Sequence, residues 1–122
     1  MQGWEYQEQA MRTNDGMHDA RLKAACFRYE NMAELLNGCL GLAGETGEFL
    51  DMVKKWIYHE KPLDAEHLEK ELGDVMWYVA MICKAMSWSL DEVMKKNVAK
   101  LQARYPEGFD PEMSANRKEG DL

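Results

Sequence analysis

Two stretches decide the fold: GLAGETGEFLDMVKK at 41–55 and LEKELGDVMWYVAMI at 68–82. Each carries two acids spaced i, i+3: Glu45 with Glu48, and Glu71 with Asp74. On a helix such a pair shares one face, with Cβ atoms roughly 5–6 Å apart. The flanks are apolar: Leu40, Leu42, Phe49, Leu50, Val53, Trp56 and Ile57 around the first pair, and Leu72, Val75, Met76, Val79, Ile82 and Cys83 around the second. Two such helices packed antiparallel, at roughly 8–10 Å between axes, bring four carboxylates into one small volume. Unneutralised, those anions repel and push each other's pKa upward. A hard divalent cation relieves the repulsion. An oxygen-only ligand set of Glu45, Glu48, Glu71 and Asp74 suits Mg²⁺ best, with Mn²⁺ as a substitute.

A solvated helix face is the ordinary explanation for acids at i, i+3, because charged residues are mostly exposed. Glycines weigh against it here. Gly44 and Gly47 bracket the first pair and Gly73 lies within the second. A glycine inside a helix costs about 1 kcal/mol relative to alanine. Three of them beside the acids predict close approach of a backbone or a ligand.

Working outward, a helix over 40–59 carries the first pair and stops at Glu60-Lys61-Pro62, because proline cannot continue the ladder. Lys54 and Lys55 complement the negative end of its dipole. Asp64 reads as the N-cap of a second helix over 65–86. Upstream, 4–12 reads as a short helix and Thr13-Asn14-Asp15-Gly16 as a turn. A helix over 17–36 follows, with Asn31 as a weak point and a break at Asn37-Gly38. Downstream, Ser89-Leu90-Asp91-Glu92 reads as a capping box that opens a helix running to about Arg104. Pro106-Glu107-Gly108 ends it, and 109–122 reads as an irregular tail. No turn-bounded alternation marks a strand. The fold expected is all-α: a bundle of four to five helices in a single domain over 1–122.

At 122 residues there is no room for a second domain. No apolar run approaches the ~18–20 residues of a membrane span, and the start MQGWEYQEQ has neither the basic flank nor the apolar core of a secretory signal. A cytoplasmic location is expected, with no membrane partner. The net charge of −7 opposes broad binding to nucleic-acid polymers, which needs a basic face. Cys26, Cys39 and Cys83 form no C-x-x-C and read as buried small hydrophobes. The ten methionines read first as core filler. No phosphate loop of the G-x-x-x-x-G-K-[ST] type is present.

The E-x-x-E half, a gap of 22 residues and the E-x-x-D half together resemble the signature of the MazG-like, all-α nucleoside triphosphate pyrophosphohydrolases. The segment KKNVAKLQARYPEGF at 95–109 is similar to that family's third block. The resemblance implies conversion of a (d)NTP to the (d)NMP and pyrophosphate, with Mg²⁺, by water attack at the α-phosphorus, in nucleotide pool control. It implies that Asn97 and Lys100 contact metal or phosphate, with Arg104 and Tyr105 close behind. Lys100 would then stabilise charge on the leaving pyrophosphate. Glu48 or Glu45 is the candidate to orient or deprotonate the water, with Glu48 preferred. Lys55, Trp77 and Tyr78 are further candidate substrate contacts. Asp51 reads as a solvated acid paired with Lys54 or Lys55. Arg117 and Lys118 resemble a basic pair near the end of some family members. The resemblance also implies a homodimer, or a pair of dimers, whose four-helix core is completed by dimerisation.

Three competing readings remain. The same fold acts on phosphoribosyl-ATP or a modified nucleotide, or the chain is a non-catalytic helical module that binds a protein. A di-iron carboxylate bundle needs Glu-x-x-His from two helices, and this chain offers only Asp15-x-x-His18 and Asp64-x-x-His67.

Overall fold

A computed structural model of the chain describes residues 1–115. Arg117 and Lys118 lie outside the described residues. The order of elements is α1 (Gly3–Met11), α2 (His18–Arg28), α3 (Met32–Tyr58), α4 (Ala65–Ala85), α5 (Leu90–Arg104) and α6 (Pro111–Ala115). No strand occurs among the described residues. The fold is all-α, with six helices among the described residues where four to five were expected.

α3 and α4 form a long antiparallel hairpin. Two glycines set how closely they pack. A Cβ added at Gly38 would fall 2.8 Å from Ile82 Cγ1, and one at Gly41 would enter the Tyr78 ring. Gly38 therefore does not break a helix, as its place after Asn37 suggested. It lies inside α3 because Ile82 needs the room. The real break comes earlier, at Tyr29, where the backbone turns extended (φ −123°, ψ 115°). Below the glycines, Lys84 Nζ bonds Glu34 Oε2 at 2.9 Å, and Asn31 Nδ2 donates to the Ala85 carbonyl at 3.4 Å.

The ends of α4 follow from local chemistry. The Asp64 side chain accepts the His67 N–H at 3.0 Å, which is the expected N-cap. At the other end Ser87 adopts φ 57°, while the Trp88 and Ser87 N–H groups donate to the Cys83 and Lys84 carbonyls. This is a Schellman stop with serine in the position usually held by glycine. Ser89 has the extended backbone of an N-cap, yet its side chain makes no capping bond, and Glu92 pairs with Lys95 at 3.5 Å instead. The capping box is therefore absent. The irregular tail also needs correcting. Asp110 Oδ1 accepts the Glu112 N–H at 2.9 Å and Pro111 takes the first helical position, so α6 forms.

The packing is sparse. α3 runs along α4, α2 makes a smaller contact with α3, and no other pair of helices among the described residues packs even to that extent. Cys83 and Ala85 are the buried hydrophobic residues, joined by Gly38. All four tryptophans are exposed, and no methionine is buried. Cys26 and Cys39 are exposed too, so among the cysteines the expectation of a buried hydrophobe holds for Cys83 alone. The chain presents 10317 Å² of accessible surface, where a compact monomer of 14.1 kDa presents about 6,700 Å². None of the described helices is long and apolar enough to cross a membrane.

Candidate active site

Three of the four motif acids converge above the glycine crossing. One oxygen from each of Glu45, Glu71 and Asp74 lies within 4.8 Å of the other two. The arrangement follows from the hairpin: Glu45 stands one turn beyond Gly41 on α3, and Asp74 one turn before Tyr78 on α4. Thr46, beside Glu45, returns its hydroxyl to the Leu42 carbonyl at 2.7 Å and leaves the acids alone.

Glu45 Oε2 and Glu71 Oε2 are both buried and without a hydrogen-bond partner. Buried polar atoms are nearly always satisfied, so two orphans side by side call for an explanation. The Glu45 carboxyl is also held above its ordinary value of 4.5. Desolvation is the main cause, followed by the charges of Glu48, Asp74 and Glu71. All the converging atoms are carboxylate oxygens, the donor set of a hard divalent cation. The residues present fit such an ion.

Glu48 stands outside the triplet. It is exposed and lines an open groove with Gly44, Gly47, Asp51, Met52, His67 and Glu71. A second concavity shares Met52 and His67 with this groove and extends it past Lys55, Lys61 and Asp64. Gly44, Gly47 and Gly73 have nothing within 4 Å of where a Cβ would sit, so the close approach expected of them is not made within the described chain. Lys55 bonds Asp51 at 2.7 Å, which lowers the Asp51 pKa; Asp51 is thus the paired surface acid it was expected to be.

The aromatic candidates diverge. Tyr78 lies over Gly41 inside the hairpin, while Trp77 is 59% exposed, edge-on to Tyr78 at 5.0 Å between centroids. The cationic block is on α5. Asn97 and Lys100 are exposed, Arg104 and Tyr105 are half-buried, and the Tyr105 ring lies 5.7 Å from Phe109. α5 does not pack along α3 or α4, so the single chain does not bring these four residues into the acid cluster. A concavity on α5, lined by Asp91, Met94, Lys95, Val98, Ala99 and Gln102, is made by that helix's own bare face.

Sequence reasoning misread Gly38 as a break and passed over Gly41 and the reach of His67 to Glu71. Gly38 and Gly41 carry the packing, but nothing local distinguishes them from Gly44 and Gly47. His67 was read only as part of Asp64-x-x-His67, yet its spacing of i, i+4 to Glu71 was legible.

The family described as the MazG nucleotide pyrophosphohydrolase domain matches residues 34–109, a span that takes in both acid pairs and all of α4 and α5. The chain belongs to this family. It is 37% identical over 82 residues to the Gene 37 protein of Mycobacterium phage L5, a match covering 64% of this chain and 72% of that protein. No solved structure matches significantly.

Proposed function

We propose that the protein is a Mg²⁺-dependent nucleoside triphosphate pyrophosphohydrolase, releasing pyrophosphate from a (d)NTP in the cytoplasm and so acting on nucleotide pools. The observation that carries this reading is the convergence of Glu45, Glu71 and Asp74, with two of their oxygens buried and unpartnered. These three residues would hold the ion. Bound Mg²⁺ supplies Lewis-acid polarisation of phosphoryl oxygens and makes a water more acidic.

The chain's own residues account for the rest. Glu48, exposed on the groove beside the triplet, orients the attacking water and takes its proton. Attack at the α-phosphorus breaks the bond to the bridging oxygen and leaves charge on pyrophosphate. Lys100 answers that charge, with Asn97, Arg104 and Tyr105 around the phosphates. Lys55, on the extension of the groove, and Trp77, exposed next to the acid-bearing face, contact the remainder of the nucleotide.

Lys100 stands on a helix that is not packed against the acids, so this reading requires a second copy of the chain. The accessible surface supports it, exceeding that of a compact monomer by about half. Val93, Met94, Val98 and Leu101 on α5, and Leu72, Met76 and Trp77 on α4, are exposed apolar residues that a partner would cover. In a two-fold dimer, α5 of each chain would complete the site on the hairpin of the other.

Pyrophosphate release measured over a panel of dNTPs and NTPs with Mg²⁺ tests the activity. Release from at least one triphosphate, abolished by chelation, is expected. No release from any member, with turnover of phosphoribosyl-ATP or a modified nucleotide, would move the same chemistry to another substrate. No turnover of any of them would leave a non-catalytic module.

A further inference from the structure

Glu71 is anchored at one oxygen and bare at the other. Its Oε1 lies 3.2 Å from His67 Nε2, one helical turn earlier on α4. Its Oε2 is buried and unpartnered. A carboxylate oxygen only accepts, so the Nε2 of His67 carries the hydrogen in this contact. The His67 backbone is engaged separately: its N–H donates to Asp64 Oδ1 at 3.0 Å. The imidazole is therefore not needed for the helix cap. It stands 56% exposed at the junction of the two concavities, while the Glu71 side chain it touches is 17% exposed.

We infer that His67 is a positioning residue for the divalent cation: it donates a hydrogen bond to Glu71 Oε1 and so turns Glu71 Oε2 toward Glu45 and Asp74. The inference rests on the metal-site reading above. Glutamate has three rotors, and Glu71 without a tether samples orientations in which Oε2 leaves the cluster. With Oε1 engaged by His67, one oxygen of Glu71 remains for the ion, and its direction is set before the ion arrives. Among the three converging acids, Glu71 is the one held by a histidine from the neighbouring turn. Partners of this kind, which hold a ligand without touching the ion, typically change metal affinity by about 10–100-fold when removed.

The test is Mn²⁺ binding without substrate, followed by electron paramagnetic resonance on the full chain, for wild type, His67→Ala and His67→Gln. His67→Ala is expected to weaken Mn²⁺ affinity by about ten-fold or more with helix content unchanged, since the capping bond uses the backbone. His67→Gln, whose amide can donate to a carboxylate one turn on, is expected to recover most of the loss. Wild-type affinity in His67→Ala would overturn the inference while leaving the metal site standing, and so would a failure of His67→Gln to recover any of a loss. A wild-type protein that binds no Mn²⁺ would overturn both the metal site and the role of His67.

Discussion

The α3–α4 hairpin and α5 follow each other in the chain and are held in opposite ways. The hairpin is fastened along its length: Lys84 to Glu34 at one end, then Gly38 under Ile82 and Gly41 under Tyr78. Its acids follow from this register. α5 does not pack along the hairpin and leaves Met94, Val98 and Leu101 exposed. Acids are thus assembled within one chain and cations are left apart from them. On the proposed function, the difference teaches that the domain is half a site: the acids that would hold the metal are assembled within one chain, and the residues proposed to meet the phosphates would need a partner to reach them.

The largest expected effects come from removing one charge from each half. Asp74→Asn should lower turnover by about a thousand-fold or more, because an amide is a poor ligand for Mg²⁺ yet packs like the acid. Lys100→Ala should lower it by about a hundred-fold to a thousand-fold, as for other groups that meet charge developing in the transition state. Neither should shift the melting temperature much. If steady-state pyrophosphate release left either variant near wild type, that half would lose its assigned role.

The glycines offer a second contrast. Gly41→Ala drives a methyl group into the Tyr78 ring and should cost about 1–3 kcal/mol, as overpacking does. Gly73→Ala meets open space and should gain up to about 1 kcal/mol from helix propensity. Denaturant unfolding of the pair checks the signs. Equal effects would mean that the hairpin does not depend on close approach at Gly41.

The smallest effects concern pH, and the same helix shows both signs. The Glu45 pKa is raised above 4.5 in the fold, so its contribution to stability is present below 4.5 and lost as pH rises through the folded value. The Asp51 pKa is lowered below 3.8 by its hydrogen bond to Lys55, so its contribution is present above 3.8 and lost as pH falls through the folded value. Thermal unfolding in chelator, from about pH 3 to about pH 7, should show Glu45→Gln flattening the first trend and Asp51→Asn the second. Profiles unchanged from wild type would contradict both assignments.

Much of the hairpin was legible in the sequence because its determinants are local. Spacing of i, i+3 put each acid pair on one face, Pro62 and Asp64 bounded the loop, and Ser89 and Pro106 bounded α5. What escaped depended on partners far along the chain. Gly38 looked like a terminator until Ile82, 44 positions later, gave it a reason to be inside a helix. The glycines nearest the acids invited a packing role that fell to Gly41 instead. The methionines read first as core filler, yet none is buried, because a sequence does not show which apolar faces the fold leaves bare. Asp110-Pro111 was a readable helix start, lost among the charges of the tail.

The most direct test of a site shared between chains is complementation. Asp74→Asn and Lys100→Ala chains, each nearly inactive alone, are mixed, dissociated in mild denaturant and allowed to reassociate. If α5 of one chain completes the hairpin of the other, each mixed dimer holds one site with both substitutions and one with neither. Random pairing makes half the dimers mixed, so activity should return to about one quarter of wild type. Activity that stays at the average of the two variants would show that each chain builds its site alone, and would contradict the account.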